Sequence, residues 1–261
     1  MINRLIWKSN EISKEWNDSC LKLKRLSDDI NYEMLKRGIV EVDRYTLLPY
    51  CFDEQLRRIT DDGFIFYPLY RAVSTPDFSA THKIADKIDS NSTVEGIITH
   101  SKGIAIKYAE ALKNNDNIEI GRFHSYPDCC INFFNKYWDG KITDLCYESA
   151  MNTDGHIIDK NTVEAECSLS NNILIRYFGF RAIQFFPCSY KCKEAIKLGN
   201  EHFKVLQSID ASLPDKLKYL LKQAVTWDLY KGIIQIEHPL FYGISGGYQH
   251  NRRIIKLNIC D

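Results

Sequence analysis

Apolar positions change period several times along this chain, and each change marks an element. From Glu11 to Lys36, Ile12, Trp16, Cys20, Leu21, Leu23, Leu26, Ile30 and Met34 recur mostly at spacings of three and four. That period puts them on one face of an amphipathic helix, with Asp28-Asp29 as a candidate break and Gly38 as its stop. Ile39 to Tyr50 alternates and is rich in β-branched and aromatic residues, which predicts a strand. Phe52 to Ile59 reads as a short helix closed by Asp61-Asp62-Gly63. Phe64 to Val73 is a buried strand with an edge or bend at Pro68, because proline cannot donate to a ladder. Ser74-Thr75-Pro76-Asp77 is a turn. Thr93 to Thr99 is a second buried strand, and Ser101 to Asn114 is a helix after it, which together fit a βα unit.

Farther on, Pro127 suits the first turn of a helix, with Ser125 as N-cap and Asp128 as its return partner. Ile131, Phe133, Phe134, Tyr137 and Trp138 continue it, and Asp139-Gly140 ends it. Residues 144–170 are polar without a clear period and read as a loop or insert. Asn171 to Phe178 is expected as helix, ended by Gly179, and Arg181 to Phe186 as strand, ended by Pro187. Tyr190 to Ser208 is expected as helix, and Pro214 starts another that ends near Ala224. Asp228 to Glu237 and Arg253 to Ile259 are expected as strands, joined through Gly243 to Gly247. The sum is an α/β or α+β protein: a single domain over residues 1–261, with a mixed sheet flanked by helices.

Composition narrows this picture. Lys+Arg and Asp+Glu stand at 34 each, so no broad basic field exists to bind nucleic acid through phosphates, although a local groove is allowed. No run of about 18 apolar residues predicts a membrane span. Met1 to Lys8 lacks the apolar core of a signal peptide. The expected compartment is the cytoplasm, where thiols stay reduced, so disulfides are the poorer account of nine cysteines. Cys20, Cys51 and Cys260 are isolated and read as small buried hydrophobes.

The candidate chemistry lies between Gly121 and Cys192. Cys129 and Cys130 follow Pro127, and Cys188 and Cys192 follow Pro187, each pair at an expected helix start. Unpaired N–H groups and the macrodipole at such a start favour thiolate. Cys188 and Cys192, four apart, share a face if helical. Cys129 and Cys130 diverge by about 100° on a regular helix, so both reach one metal only if one sits in the cap turn. Three readings compete. The four cysteines hold a metal centre, with a [4Fe–4S] cluster preferred and zinc second because the Cys-x2-Cys knuckle of structural zinc sites is absent. Alternatively they form a redox or nucleophilic thiol pair, or they only pack. His124 and Asp128 beside the first pair are candidate proton-handling or ligand residues. Arg176 and Arg181, in an apolar stretch, need an anionic partner, either a substrate carboxylate or phosphate or a structural acid such as Glu166.

Tyr126-Pro127-Asp128-Cys129-Cys130, Asn172 to Arg176, Gly179 to Arg181 and Pro187-Cys188-Ser189-Tyr190-Lys191-Cys192 together resemble an uncharacterised group of prokaryotic proteins. That group carries Tyr-Pro-x-Cys-Cys, Asn-x-x-x-Arg, Gly-x-Arg and Pro-Cys-Ser-x-x-Cys. The resemblance implies that the two cysteine pairs belong together, and it brings no activity with it. The expectation is therefore a cytoplasmic metalloenzyme with a cysteine-ligated site acting on a small anionic metabolite or a modified nucleobase or nucleotide. The alternative is a metal-stabilised module that binds nucleic acid or protein without catalysis.

Overall fold

The computed structural model describes residues 5–7, 10–73, 83–84, 92–138, 145–154, 156–159, 162–178, 180–221, 225–228, 233–236, 241–243 and 254–260. The chain opens with β1 (Leu5–Trp7) and α1 (Asn10–Lys36). β2 (Val42–Leu47), α2 (Phe52–Asp61), β3 (Ile65–Val73), β4 (Lys83–Ile84), β5 (Ser92–Thr99), α3 (Lys102–Lys113) and α4 (Asn117–Phe123) follow. Next come α5 (Asp128–Tyr137), α6 (Leu145–Met151), β6 (His156–Asp159) and β7 (Thr162–Cys167). Short 3-10 turns at Leu169–Asn171 and Ile173–Phe178 lead to α7 (Lys193–Ile209) and α8 (Ser212–Leu221). β8 (Val225–Asp228), β9 (Ile233–Ile236), β10 (Phe241–Gly243) and β11 (Ile254–Ile259) complete it. This is an α+β fold. It divides into two compact units, Met1–Met34 with Tyr126–Asp261, and Leu35–Ser125.

In the unit Leu35–Ser125, the described strands run in the order β2-β5-β3-β4 with every neighbour antiparallel. The expected step from strand β5 to helix α3 is present, but it feeds no parallel neighbour and so makes no βαβ crossover. β5 is buried along its whole length, including its polar Ser92, Thr93, Glu95 and Thr99, and the Thr46 hydroxyl donates to the buried Glu95 carboxylate at 2.9 Å. Its Ile97 packs with Val42, Ala105 and Tyr108, and Ile65, Tyr67, Leu69, Ile104, Ile120 and Phe123 close around them. The β3–β5 register shifts between Pro68 and Tyr70, the irregularity that the missing proline N–H predicts. α4 was not expected from sequence; Asp116 caps it by accepting from the Ile118 and Glu119 amides at 3.1 Å each.

His124 belongs to this unit. It is buried, with Nε2 3.0 Å from the Tyr108 hydroxyl. Burial first, and the Arg44 charge second, pull its pKa down to about 4. An unfolded histidine titrates near 6.5, so between about 6.5 and 4 the unfolded chain binds a proton that the folded chain refuses. The stability His124 contributes is complete above pH 6.5 and is lost as pH falls towards 4, by about 3 kcal/mol in all. Urea unfolding between pH 7 and 4 should show this slope in the native chain and a shallower one in His124→Gln.

In the other unit, the described strands form a mixed sheet in the order β1-β10-β9-β8-β11-β7-β6. β11 and β7 are parallel and the remaining described pairs are antiparallel. Val163, Ala165 and Cys167 of β7, with Ile255 and Leu257 of β11, are buried, as are Leu145, Cys146 and Ala150 of α6. α1 buries Cys20, Leu23, Ile30 and Met34 of the predicted face and leaves Leu21 exposed, and Lys22 pairs with Asp210 at the end of α7. It runs unbroken through Asp28-Asp29, and Gly38 follows it at φ 66°.

Several expected elements differ. Residues 144–170 hold α6 and the β6–β7 hairpin where a loop was expected. Arg181 to Phe186 is irregular, and 171–178 consists of 3-10 turns, with neither the strand nor the regular helix expected. Asp228 to Glu237 was read as one strand, yet the strands are the antiparallel hairpin β8–β9. The capping box at α5 does not form: Pro127 is the N-cap without a side-chain cap, and Ser125 has a φ of 56°. The Ser74–Asp77 turn and the stops at Gly140 and Gly179 lie outside the described residues.

Candidate metal centre

Two segments build the centre, both in the unit that contains Tyr126–Asp261. The first is the opening turn of α5, where the Pro127 carbonyl accepts from the Cys130 and Ile131 amides at 2.8 and 3.0 Å. Cys129 and Cys130 are its second and third residues. Both are helical, so neither had to leave the helix for the sulfurs to meet. The second segment is Pro187 to Cys192. Here Cys188 precedes the helix, and a turn with the Cys192 amide on the Ser189 carbonyl at 3.0 Å returns the chain. Cys192 is the N-cap of α7. The turn, and not a shared helical face, brings this pair together.

The sulfurs of Cys129 and Cys130 lie 3.9 Å apart, those of Cys129 and Cys192 3.6 Å, and those of Cys130 and Cys192 3.8 Å. All four Sγ atoms, including that of Cys188, fall within 4.8 Å of one another. A zinc ion with Zn–S bonds of about 2.3 Å holds tetrahedral sulfurs about 3.8 Å apart. The donor set and its spacing therefore fit one tetrahedral ion, and the four cysteines could bind a metal.

The four thiols shift one another in opposite directions. Hydrogen bonds from Cys130 and then Cys188, with the Ala195 amide, pull Cys192 down to about 2. Cys130 is pushed up, chiefly by its hydrogen bonds with Cys188 and Cys192, and Cys129 is pushed up chiefly by desolvation. Cys188 is pulled down by Cys130 but pushed further up by Cys192 and burial, ending at about 12. Binding a cation must displace protons from the raised thiols, so affinity rises with pH.

α6 and the turn after it brace the second segment. Ser149 Oγ donates to the Pro187 carbonyl at 2.5 Å and Asn152 Nδ2 to the Cys188 carbonyl at 3.3 Å. Thr153 Oγ1 accepts from the Tyr190 amide at 2.7 Å. Asn171 Nδ2 donates to the Ser189 carbonyl at 2.9 Å, and the buried Tyr190 donates its hydroxyl to the Cys146 carbonyl at 3.3 Å. None of Ser149, Asn152, Thr153 and Asn171 was singled out from sequence. Ser149, Asn152 and Thr153 gave one signal, short polar side chains close together at and just after the end of α6, and Asn171 gave none. Just before the two segments in sequence, the rings of Tyr126 and Phe185 sit 4.7 Å apart.

The remaining sequence candidates are not among the four sulfur ligands. His124 is in the other unit, against Tyr108. Asp128 is the exposed first residue of α5. Arg176 places its guanidinium 5.8 Å from the centre of the Phe186 ring. Arg181 is exposed; desolvation pushes the Asp28 carboxyl up, and the Arg181 charge pulls it back. Glu166, considered as an arginine partner, bonds Lys191 at 2.5 Å. Of the isolated cysteines, Cys20 is buried as expected, Cys51 is intermediate and Cys260 is exposed.

Among the described residues no helix is long and apolar enough to cross a membrane. No curated protein and no solved structure matches the chain. Residues 93–222, which hold all four cysteines of the centre, match the model of a family described as a protein of unknown function (DUF483), in keeping with the resemblance to an uncharacterised group that Tyr126 to Cys130 and Pro187 to Cys192 suggest.

Proposed function

We propose that this chain is a metal-stabilised protein whose Cys129, Cys130, Cys188 and Cys192 hold a single tetrahedral ion, zinc before iron, as four thiolates. The observation that supports this is the spacing of the Cys129, Cys130 and Cys192 sulfurs, 3.6 to 3.9 Å, with the Cys188 sulfur inside the same 4.8 Å group. In a [4Fe–4S] cube each cysteine caps a different iron from outside, so the sulfurs stand farther apart than around one ion. Cys130 and Cys192 are 62 positions apart, and the ion ties their segments together. Four thiolates also leave no position for water or a substrate oxygen. Zinc in such a shell supplies folding energy, whereas a catalytic zinc keeps an open site.

This favours the binding-module reading over a metalloenzyme acting on an anionic metabolite or nucleotide. The latter would need one ligand to leave and an arginine to face the ion, whereas Arg176 lies over Phe186. Elemental analysis with an absorption spectrum on anaerobically purified protein tests the proposal. One zinc per chain without a visible band is expected. About four irons with a broad visible band would instead restore the cluster.

A further inference from the structure

Within the single-ion reading, the four thiolates are not equivalent. Cys130 is buried, Cys188 and Cys192 are intermediate, and Cys129 is exposed. Their hydrogen bonding differs in the same sense. Cys130 Sγ accepts the Cys188 amide at 3.3 Å, and Cys192 accepts the Ala195 amide. Among the described residues, the partners of Cys129 and of Cys188 are other sulfurs of the group, and of these two Cys129 is the exposed one. An amide N–H draws charge from the sulfur it bonds and blunts its attack, whereas a sulfur that faces solvent without one keeps both access and charge.

We propose that Cys129 is the reactive ligand of the centre, a metal-bound thiolate that accepts an alkyl group from a neutral or cationic carbon electrophile such as a sulfonium-type donor. This rests on the single-ion reading. The charge of the centre sets the substrate class. Four thiolates and one divalent cation leave two net negative charges (4 − 2); next to the ligands Asp128 adds to that sign and Lys193 offsets it, while Lys191 is paired with Glu166, so the charge of the centre itself repels anionic electrophiles.

The step balances without a co-reactant. A lone pair on Cys129 Sγ forms the new S–C bond while the bond from that carbon to its leaving group breaks, and the leaving group departs with the electron pair. No proton moves, because a coordinated thiolate needs no deprotonation. The product is a neutral thioether, a weaker ligand than a thiolate. The ion is then held chiefly by Cys130, Cys188 and Cys192 and escapes more easily, so alkylation is converted into loosening of the α5 start from the 187–192 turn.

The zinc-loaded full chain is treated with substoichiometric iodoacetamide and, separately, with anionic iodoacetate. Peptide mass mapping follows the label over time, and a chromogenic chelator follows released zinc. The label should reach Cys129 at least tenfold faster than Cys130, Cys188 or Cys192. Iodoacetamide should outpace iodoacetate there by more than it does at the exposed Cys260 off the centre, and zinc should appear in step with Cys129 labelling alone. Cys129→Ser should lose the zinc-releasing reaction. If zinc is bound but another ligand is labelled first, or Cys129 labelling releases none, this inference falls and the single-ion reading stands. If elemental analysis beforehand finds no ion, both fall.

Discussion

The double variant Cys188→Ser/Cys192→Ser should bind no metal and should unfold at least about 10 °C below the native chain, because a loss of about 5 kcal/mol moves a domain of this size by that much or more. Thiolate zinc centres contribute roughly 10–16 kcal/mol of apparent binding energy, against a net stability of about 5–15 kcal/mol for a whole domain. Two of the four sulfurs cannot reproduce that, and the tie between segments 62 residues apart goes with it. A chelator should bring the native chain down to the variant's midpoint and leave the variant unmoved. Cys260→Ser, at an exposed cysteine outside the four-sulfur group, should stay within about 1 °C of native, as surface substitutions do. Equal midpoints for the native chain and the double variant would mean that the cysteines only pack.

Gly199→Ala should be nearly as damaging without touching a sulfur. A Cβ at Gly199 would stand 1.9 Å from the Ser170 carbonyl oxygen and 2.8 Å from its carbon. Both are backbone atoms, so no side chain can swing aside; α7 must move away from the Leu169–Asn171 turn. Overpacking of this kind costs about 3 kcal/mol or more. The movement also reaches the centre, since α7 carries Cys192 at its N-cap and Asn171 holds the Ser189 carbonyl. The expected result is a lowered midpoint together with zinc affinity reduced at least tenfold in a chelator competition. Gly103→Ala is the contrast. The nearest atom to its Cβ would be Ser101 Oγ at 3.5 Å, and alanine in α3 should be neutral or stabilise by up to about 1 kcal/mol.

Much of the fold was legible because burial imposed its period on the sequence. α1 kept a clear apolar face and β5 a short run of β-branched residues, Thr93, Val94, Ile97, Ile98 and Thr99, and each formed within a few residues of expectation. β7 shows how such a signal can be missed. Thr162 to Cys167 does alternate, with Val163, Ala165 and Cys167 inward and Glu164 and Glu166 less buried, but the two glutamates made the segment look like loop. The stretch before Pro187 failed for the opposite reason. Phe180, Ala182, Ile183 and Phe185 are buried as apolar side chains of an irregular segment, and apolar content alone does not distinguish that from a strand.

At the centre, the convergence of the cysteine pairs was readable from two prolines, each followed closely by two thiols. How they converge was not. Whether Cys129 and Cys130 could share an ion from consecutive helical positions depends on side-chain torsions that no spacing rule encodes. The bracing by Ser149, Asn152, Thr153 and Asn171 is long-range, and short polar residues in a helix more often face solvent than hold a distant loop. The preference for a cluster rests on the absent Cys-x2-Cys knuckle, a statement about sequence spacing, and the single-ion proposal rests on sulfur spacing, which the sequence does not carry.

X-ray absorption at the zinc edge of the purified chain tests the central claim most directly. It should show four sulfurs at about 2.3 Å in a single shell, and Cys129→Ser should replace one of them with a lighter ligand. Nitrogen or oxygen in the native shell, or a metal–metal distance beyond it at the iron edge, would contradict a single ion held by Cys129, Cys130, Cys188 and Cys192.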